Sequence, residues 1–511
     1  MKAHLLSPDS DVDFTIVKMR WAYNVEGPAL TARQQALIDD LELDTLFDAM
    51  SGGDPVIGEI SKRVVLCELP DPPDIRYRQA VLQDCLKHPE VVRDMLTIAV
   101  EAIDTESRLW GGMSGRPETV LHRSVQALSN FVVYLKKLRR LADEHSSKVS
   151  SEGFRALFDE LSRELSDEYF REVEDHLKKL ELKDGVLMSS RLGPALKGAD
   201  YVLRSPEPSR VALKERIGLG PRTEYHWDLP PRDEAGGQAI SDLADRGVNL
   251  VANAAAQSSD HLKSFFAALW VELGFYAGCL NLHSALRAKA VTVAMPTPLG
   301  WDEAELSWSG LVDPCLALRS ENAVVANDCS RGRRRLVVIT GANSGGKSTL
   351  LRSVGIAQLM MQAGMFVAAS ELRSCVTSGV FSHFIREEDQ TMTSGKFDEE
   401  LQRMSVLADW LRPHALVLFN ESFSATNERE GAEIATQIVE ALLDSDIAVC
   451  FVTHNFTFAE HFLKRRSDST MFLRAERDAD GRRPFKLVEA DPLPTSFGAD
   501  IYSRLGGWGV D

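Results

Sequence analysis

At 511 residues, 44% of them hydrophobic, the chain is too long for one ordinary core and is expected to form two to four domains. Its formal charge of −17, from 58 basic and 75 acidic residues, excludes whole-molecule attraction to nucleic acid, so any DNA contact needs a local basic face. No apolar run approaches the ~18 residues of a membrane span, MKAHLLSPDSD has no signal-peptide pattern, and the cysteines at 67, 85, 279, 315, 329, 375 and 450 form no C-x-x-C pair; a soluble, cytoplasmic protein with reduced thiols and no membrane partner is expected.

Taken in order, residues 29–110 carry apolar positions at three- and four-residue spacing and read as helices. GGMSGRP (111–117) breaks the pattern. TVLHRSVQALSNFVVYLKKLRRLADEH and a charged stretch from Glu152 to Lys183 resume it, which predicts long helices packed side by side. Residues 184–237 change character: glycine and proline punctuate short apolar runs such as GVLMSS and DYVLR, the pattern of hairpins or loops. A long helix is predicted from Gln238 to about Lys289, with a break near Gly247 and burial of its apolar second half. From Val291 strands alternate with helices, which argues for a largely parallel sheet covered on both faces. The expected domains are therefore a helical region 1–183, a β/loop segment 184–237, a long helix 238–290 and an α/β domain 291–511.

The chemistry concentrates in LVVITGANSGGKST (336–349). An apolar run enters Gly341, and G-x-x-x-x-G-K-S closes at Gly346, Lys347 and Ser348, just before a proline-free stretch with helical spacing. This is the pattern of a phosphate-binding loop: backbone N–H groups converge on phosphate oxygens, Lys347 reaches the β and γ phosphates, and the Ser348 hydroxyl is placed for magnesium. LVLF (416–419) then runs into Asn420 and Glu421. A nucleotide triphosphatase needs one carboxylate there for the metal shell and one to activate water. Glu421 suits the second task, whereas Asn420 lacks the charge for the first and can only accept from a metal-bound water. His454, after the strand AVCFVT, is placed to touch the γ phosphate or the attacking water. Thr393, Ser394 and Gly395 precede a helix and either bind a phosphate or cap it. The basic clusters at Lys136, Lys137, Arg139 and Arg140, at Arg331 and Arg333 to Arg335, and at Lys464 to Arg466 read as solvated helix ends or loop tips rather than a DNA-binding face.

With these residues collected, the chain resembles the MutS family of DNA mismatch repair ATPases, of the ABC type. TGANSGGKST resembles the family's TGPNMGGKST, VVANDCS (324–330) its V-P-N-D stretch, THNF (453–456) its T-H-Y and TSFG (495–498) its S-Y-G, while LVDP (311–314) lies where the family has R-H-P. The resemblance is strong over 291–511 and weaker before it. It implies a helical core and lever followed by a P-loop ATPase domain that binds ATP and Mg2+ between two facing copies. Gly341, Ala342, Asn343, Ser344, Gly345, Gly346, Lys347, Ser348 and Thr349 would then hold the nucleotide, Ser348 and Asn420 the metal, Glu421 and His454 would complete hydrolysis in cis, and Thr393, Ser394 and Gly395 would reach the γ phosphate in trans. A homodimer and DNA are the implied partners.

Three departures shape the expectation. Asn420 replaces the family aspartate, so hydrolysis is expected to be slow. The mismatch-reading domain is expected to be absent, because the helical core starts by about residue 30, and Phe-x-Glu at 158–160, 170–172 and 397–399 falls within predicted helices, where it reads as amphipathic patterning. The clamp that grips DNA in the family corresponds at best to the short segment 184–237, so mismatch recognition by this chain alone is not expected; in addition, SFSATN (422–427) at the D-loop position does not keep the family's G-R-G-T-S. The alternative function is a nucleotide-gated scaffold with weak hydrolysis and a protein partner; a transporter ATPase subunit fits the helical region poorly.

Overall fold

The computed structural model describes residues 4–8, 29–69, 71–110, 115–183, 185–204, 228–303, 305–385, 395–478 and 482–494. The chain divides into two compact units, one of residues 93–148 and 155–270, the other of residues 4–92, 149–154 and 271–511.

The first unit is helical. Pro117–His145, Glu152–Glu164 and Asp167–Leu180 each turn an apolar stripe inward, burying Leu121, Val125, Phe131, Leu135, Phe158, Leu161 and Phe170. Phe131 stacks on Phe266 with centroids 5.4 Å apart, and Tyr134 meets the same ring edge-on. The Phe-x-Glu motifs at 158 and 170 lie within these helices with their phenylalanines buried, and the one at 397 lies within Lys396–Trp410. A hairpin, β1 (Met188–Leu192) against β2 (Gly198–Leu203), lies in the stretch expected to form hairpins or loops.

One helix, Glu234–Ala288, begins in the first unit and ends in the second. The expected break at Gly247 is not there. Glycine serves close packing instead, since a Cβ at 247 would collide with the Met188 side chain. The helix is long and apolar enough to cross a membrane, but 78% of that apolar stretch is buried in protein, as in a core helix.

The second unit holds helices from residues 32–87 and two sheets. One has the order β12 (Leu487–Glu489), β11 (Thr470–Ala475), β6 (Leu336–Gly341), β10 (Ala448–Val452), β9 (Leu416–Asn420), β8 (Val380–Phe384). All its neighbours are parallel except the β11–β12 pair. The strands β6, β9 and β10 are almost wholly buried, which is why they read as continuous apolar runs. The largely parallel sheet expected from Val291 onward therefore accounts for only part of the strands. A second, mixed sheet orders β3 (Thr297–Leu299), β7 (Glu371–Cys375), β4 (Leu306–Leu311) and β5 (Asn327–Ser330), so β7 and β8, adjacent in sequence, belong to different sheets. Their separation follows from pattern: β8 is buried at every position, whereas β7 and β5 alternate.

Candidate functional site

Sheet register gathers the site. Val452 at the end of β10 pairs with Ile339 of β6 on one side and Asn420 of β9 on the other, so the residues after all three strands emerge together at the carboxyl edge. Thr453 donates its N–H to the Ile339 carbonyl (3.0 Å) and Glu421 donates to that of Val452 (2.9 Å), extending the alignment past the strands. Ligands of open α/β sheets collect at this edge.

The glycine-rich loop bends here because its residues permit it. Gly341 (φ 108°) and Gly346 (φ 90°) adopt left-handed conformations, and a Cβ on Gly341 would stand 2.8 Å from the Ala475 nitrogen. Helix Lys347–Gln362 starts directly after Gly346, and the N–H groups of its first turn give the loop an anion-attracting end. Lys347, only 4% exposed, folds back to donate to the carbonyls of Gly341 (3.0 Å) and Ala342 (3.2 Å) and to Asn343 Oδ1 (3.4 Å). Burial lowers its pKa, partly opposed by the Glu421 carboxylate.

Ser348 Oγ donates to Asn420 Oδ1 at 3.0 Å, bringing the two candidate metal-shell oxygens together. Glu421, held at φ 53°, sets Oε2 3.5 Å from His454 Nδ1. Their hydrogen bond and charges hold the Glu421 carboxyl below its usual range and raise the His454 imidazole above its own. Ala342 is buried and Ser344 sits at φ 56° within the loop, while Thr349, in the first helical turn, gives its carbonyl to Ser353. Lys347, Ser348, Asn420, Glu421 and His454 therefore share one edge of the sheet. Thr393 and Ser394 lie outside the described residues, as does TSFG (495–498). Gly395 occupies the N-cap position of Lys396–Trp410 without a side-chain bond.

Three contributors escaped the sequence reading. Asn327 in β5 is buried, accepts from the Leu487 N–H (2.8 Å) and donates to the Phe485 carbonyl (3.3 Å), pinning the strand after the β11–β12 loop. Phe485 lies over Gly346, where a Cβ would stand 3.6 Å from it. Arg483 projects from the same loop. The signal available in sequence was Asn327 within VVANDCS, whose only mark is its resemblance to the V-P-N-D stretch.

The basic clusters are largely neutralised. Lys136 pairs with Glu174 (2.5 Å), Lys137 with Glu101 (3.2 Å) and Arg139 with Asp143; Arg334 pairs with Glu489 (2.5 Å) and Arg335 with Asp446. Lys464 pairs with Glu460 (2.8 Å) and Arg466 with Asp444 (3.0 Å), while Arg331 is buried.

The fold and the gathered residues define a multidomain α/β protein that carries a phosphate-loop sequence at the carboxyl edge of a parallel sheet. Residues 70–289 match the family described as the MutS2 N-terminal domain, and residues 337–506 match MutS domain V. The chain belongs to the MutS family. It is 32% identical over 197 residues to the DNA mismatch repair protein MutS of Porphyromonas gingivalis, covering 37% of this chain and 22% of that protein. It is 27% identical over 227 residues to MutS of Thermus aquaticus, covering 44% and 27%. Over 122 residues it is 34% identical to Endonuclease MutS2 of Thermus thermophilus, covering 24% and 16%. The chain thus spans about a quarter or less of these relatives' length.

Proposed function

We propose that this chain is a MutS-type ATPase that binds MgATP on the 341–349 loop and hydrolyses it slowly. The convergence of Lys347, Ser348, Asn420, Glu421 and His454 on one sheet edge carries the reading. Lys347 and the loop N–H groups bind the phosphates. Ionised Glu421 orients the attacking water and takes its proton, while His454, within hydrogen-bonding reach of Glu421, steadies that carboxylate beside the γ phosphate.

The donor set fits magnesium incompletely. Ser348 and the nucleotide would hold the ion, which neutralises phosphate charge, and Asn420 would accept from one of its waters. Because an amide replaces a charged acceptor, Asn420→Asp is expected to raise turnover by roughly 10 to 100-fold. Unchanged turnover would overturn the assignment of Asn420 as the slow element.

The domain division expected from sequence carries over into the proposal, with residues 291–511 as the ATPase domain closing against a second copy that offers Thr393, Ser394 and Gly395. A dilution series of ATP hydrolysis checks this, since activity should rise with protein concentration. Lys347→Ala is expected to lower ATP affinity by about 100-fold, and a wild-type chain that fails to bind ATP sinks the whole reading. DNA enters through the family, and the paired basic clusters give it the least support; absence of duplex binding at low salt removes it. The amide at Asn420 favours one second reading, a nucleotide-gated scaffold, which predicts ATP binding with turnover no higher than that of Glu421→Ala.

A further inference from the structure

The segment joining β11 to β12 is tied down beside the phosphate loop. Glu476 donates its N–H to the Lys486 carbonyl (2.8 Å) and Asp478 donates to that of Arg482 (2.9 Å), so the pairing of the two strands continues beyond β11 and β12. Asn327 holds residues 485 and 487 from below, and Lys486 reaches the Ala326 carbonyl and Asp328 (3.6 Å). Phe485 is thereby set against Gly346, and Arg483 lies two residues away.

The Arg483 guanidinium is anomalous. Its Nε, Nη1 and Nη2 are all buried, and none has a hydrogen-bond partner among the described residues. A guanidinium keeps its charge at any ordinary pH and offers five donors in a planar fork, so a buried unpaired one lacks an anion rather than a proton change. It stands close enough to Lys347 for its charge to lower that ammonium's pKa further, after the larger effect of burial. Two cations therefore face one region of the site, where Glu421 is the carboxylate acting on Lys347. The fork geometry suits phosphate oxygens, which it binds bidentately.

We propose that Arg483 is a nucleotide ligand supplied in cis: the β11–β12 loop places its guanidinium on the terminal phosphates of the triphosphate, beside Lys347. The assignment rests on the ATP-binding reading above and adds a residue outside the phosphate loop to it. Bound phosphate gives the three buried nitrogens the acceptors they lack, and the loop covers the anionic end of the nucleotide.

Calorimetric titration of the full chain with MgATP tests this in wild type, Arg483→Ala, Arg483→Lys, Arg482→Ala and Lys347→Ala. Loss of a charge-assisted bidentate contact is expected to weaken MgATP binding by roughly tenfold or more in Arg483→Ala. Arg483→Lys, which keeps the charge without the fork, is expected to fall between, and the neighbouring Arg482→Ala within about twofold of wild type. Without nucleotide, Arg483→Ala is expected to unfold at a temperature no lower than wild type, because it removes an unpaired buried charge; Arg483→Gln repeats the comparison should the alanine variant misfold. Wild-type affinity in Arg483→Ala, with binding lost in Lys347→Ala, overturns the assignment and leaves the nucleotide site standing. Tighter binding in Arg483→Ala overturns it too, since the guanidinium would then block the phosphate position. If wild type binds no nucleotide, the ATP-binding reading falls and this assignment with it.

Discussion

Buried polar groups are treated in two ways within the second unit. Among the helices, two of them are well partnered: Asp84, 1% exposed, accepts from the Ser150 N–H (2.8 Å), the Ser150 hydroxyl (2.8 Å) and the Ser151 N–H (2.7 Å). Gln362, fully buried, donates to the carbonyls of Leu69 (3.0 Å) and Thr377 (2.9 Å) while accepting from Thr377 and Gln358. At the carboxyl edge of the parallel sheet the pattern reverses, with Lys347 resting on loop carbonyls and Arg483 on nothing described. Satisfied groups hold elements together, whereas unsatisfied charge of one sign, gathered where strands end, marks a place kept for a ligand.

The largest effect that would sharpen this contrast is at Asp84. Burial pushes its carboxyl up, yet the hydrogen bonds from Ser151 and Ser150 outweigh that and hold it below the usual range. Asp84→Ala strands the buried Ser151 N–H and the part-buried Ser150 N–H and is expected to cost about 4 kcal/mol in denaturant unfolding, with MgATP affinity unchanged. A loss below about 1 kcal/mol would show that solvent replaces the carboxylate and would break the comparison.

Glu272 comes next. It accepts from the Leu5 N–H, and burial raises its pKa from 4.5 to about 7. Because the folded value lies above the unfolded one, the stability linked to its protonation is full below pH 4.5 and is lost as pH rises through 7. The span corresponds to about 3 kcal/mol at most. Thermal unfolding followed from pH 5 to 8 should show a fall that Glu272→Gln removes; the same slope in the variant would place the titration elsewhere.

How much of this was legible in the sequence depends on where the information sits. The loop at 341–349 and the strands LVLF and AVCFV are local signals: a buried parallel strand reads as an apolar run, and a strand end places the next residue at the sheet edge. Lys347, Ser348, Asn420, Glu421 and His454 could be nominated that way. β11 and β12 could not, since three- and six-residue strands flanked by charged residues carry weak periodicity, although β11 lies directly beside β6. The second sheet was hidden for a related reason, because Thr297–Leu299 pairs with residues 373–375, far along the chain. Arg483 sits in DGRRP, which composition reads as a solvated turn. The neighbouring Phe485 is held by Asn327, more than 150 residues earlier, and no local pattern contains that contact.

The smallest effect tests whether Glu421 and His454 form a functional pair or are merely adjacent. Their side chains are 31% and 46% exposed, so solvent screens the pair and its share of stability is too small for unfolding to read. Titration reads it directly. The hydrogen bond and charge of Glu421 raise His454 above 6.5, so the imidazolium persists to higher pH than a free histidine and the pair is lost as pH rises through that raised value. Glu421→Gln keeps a hydrogen-bond acceptor but removes the charge, and should move the His454 transition down toward 6.5 in ring-proton NMR assigned with His454→Gln. An unmoved transition would mean that the carboxylate does not control the imidazole. The contrast between satisfied and waiting charge would then reduce to the two cations, Lys347 and Arg483, and the anion they lack.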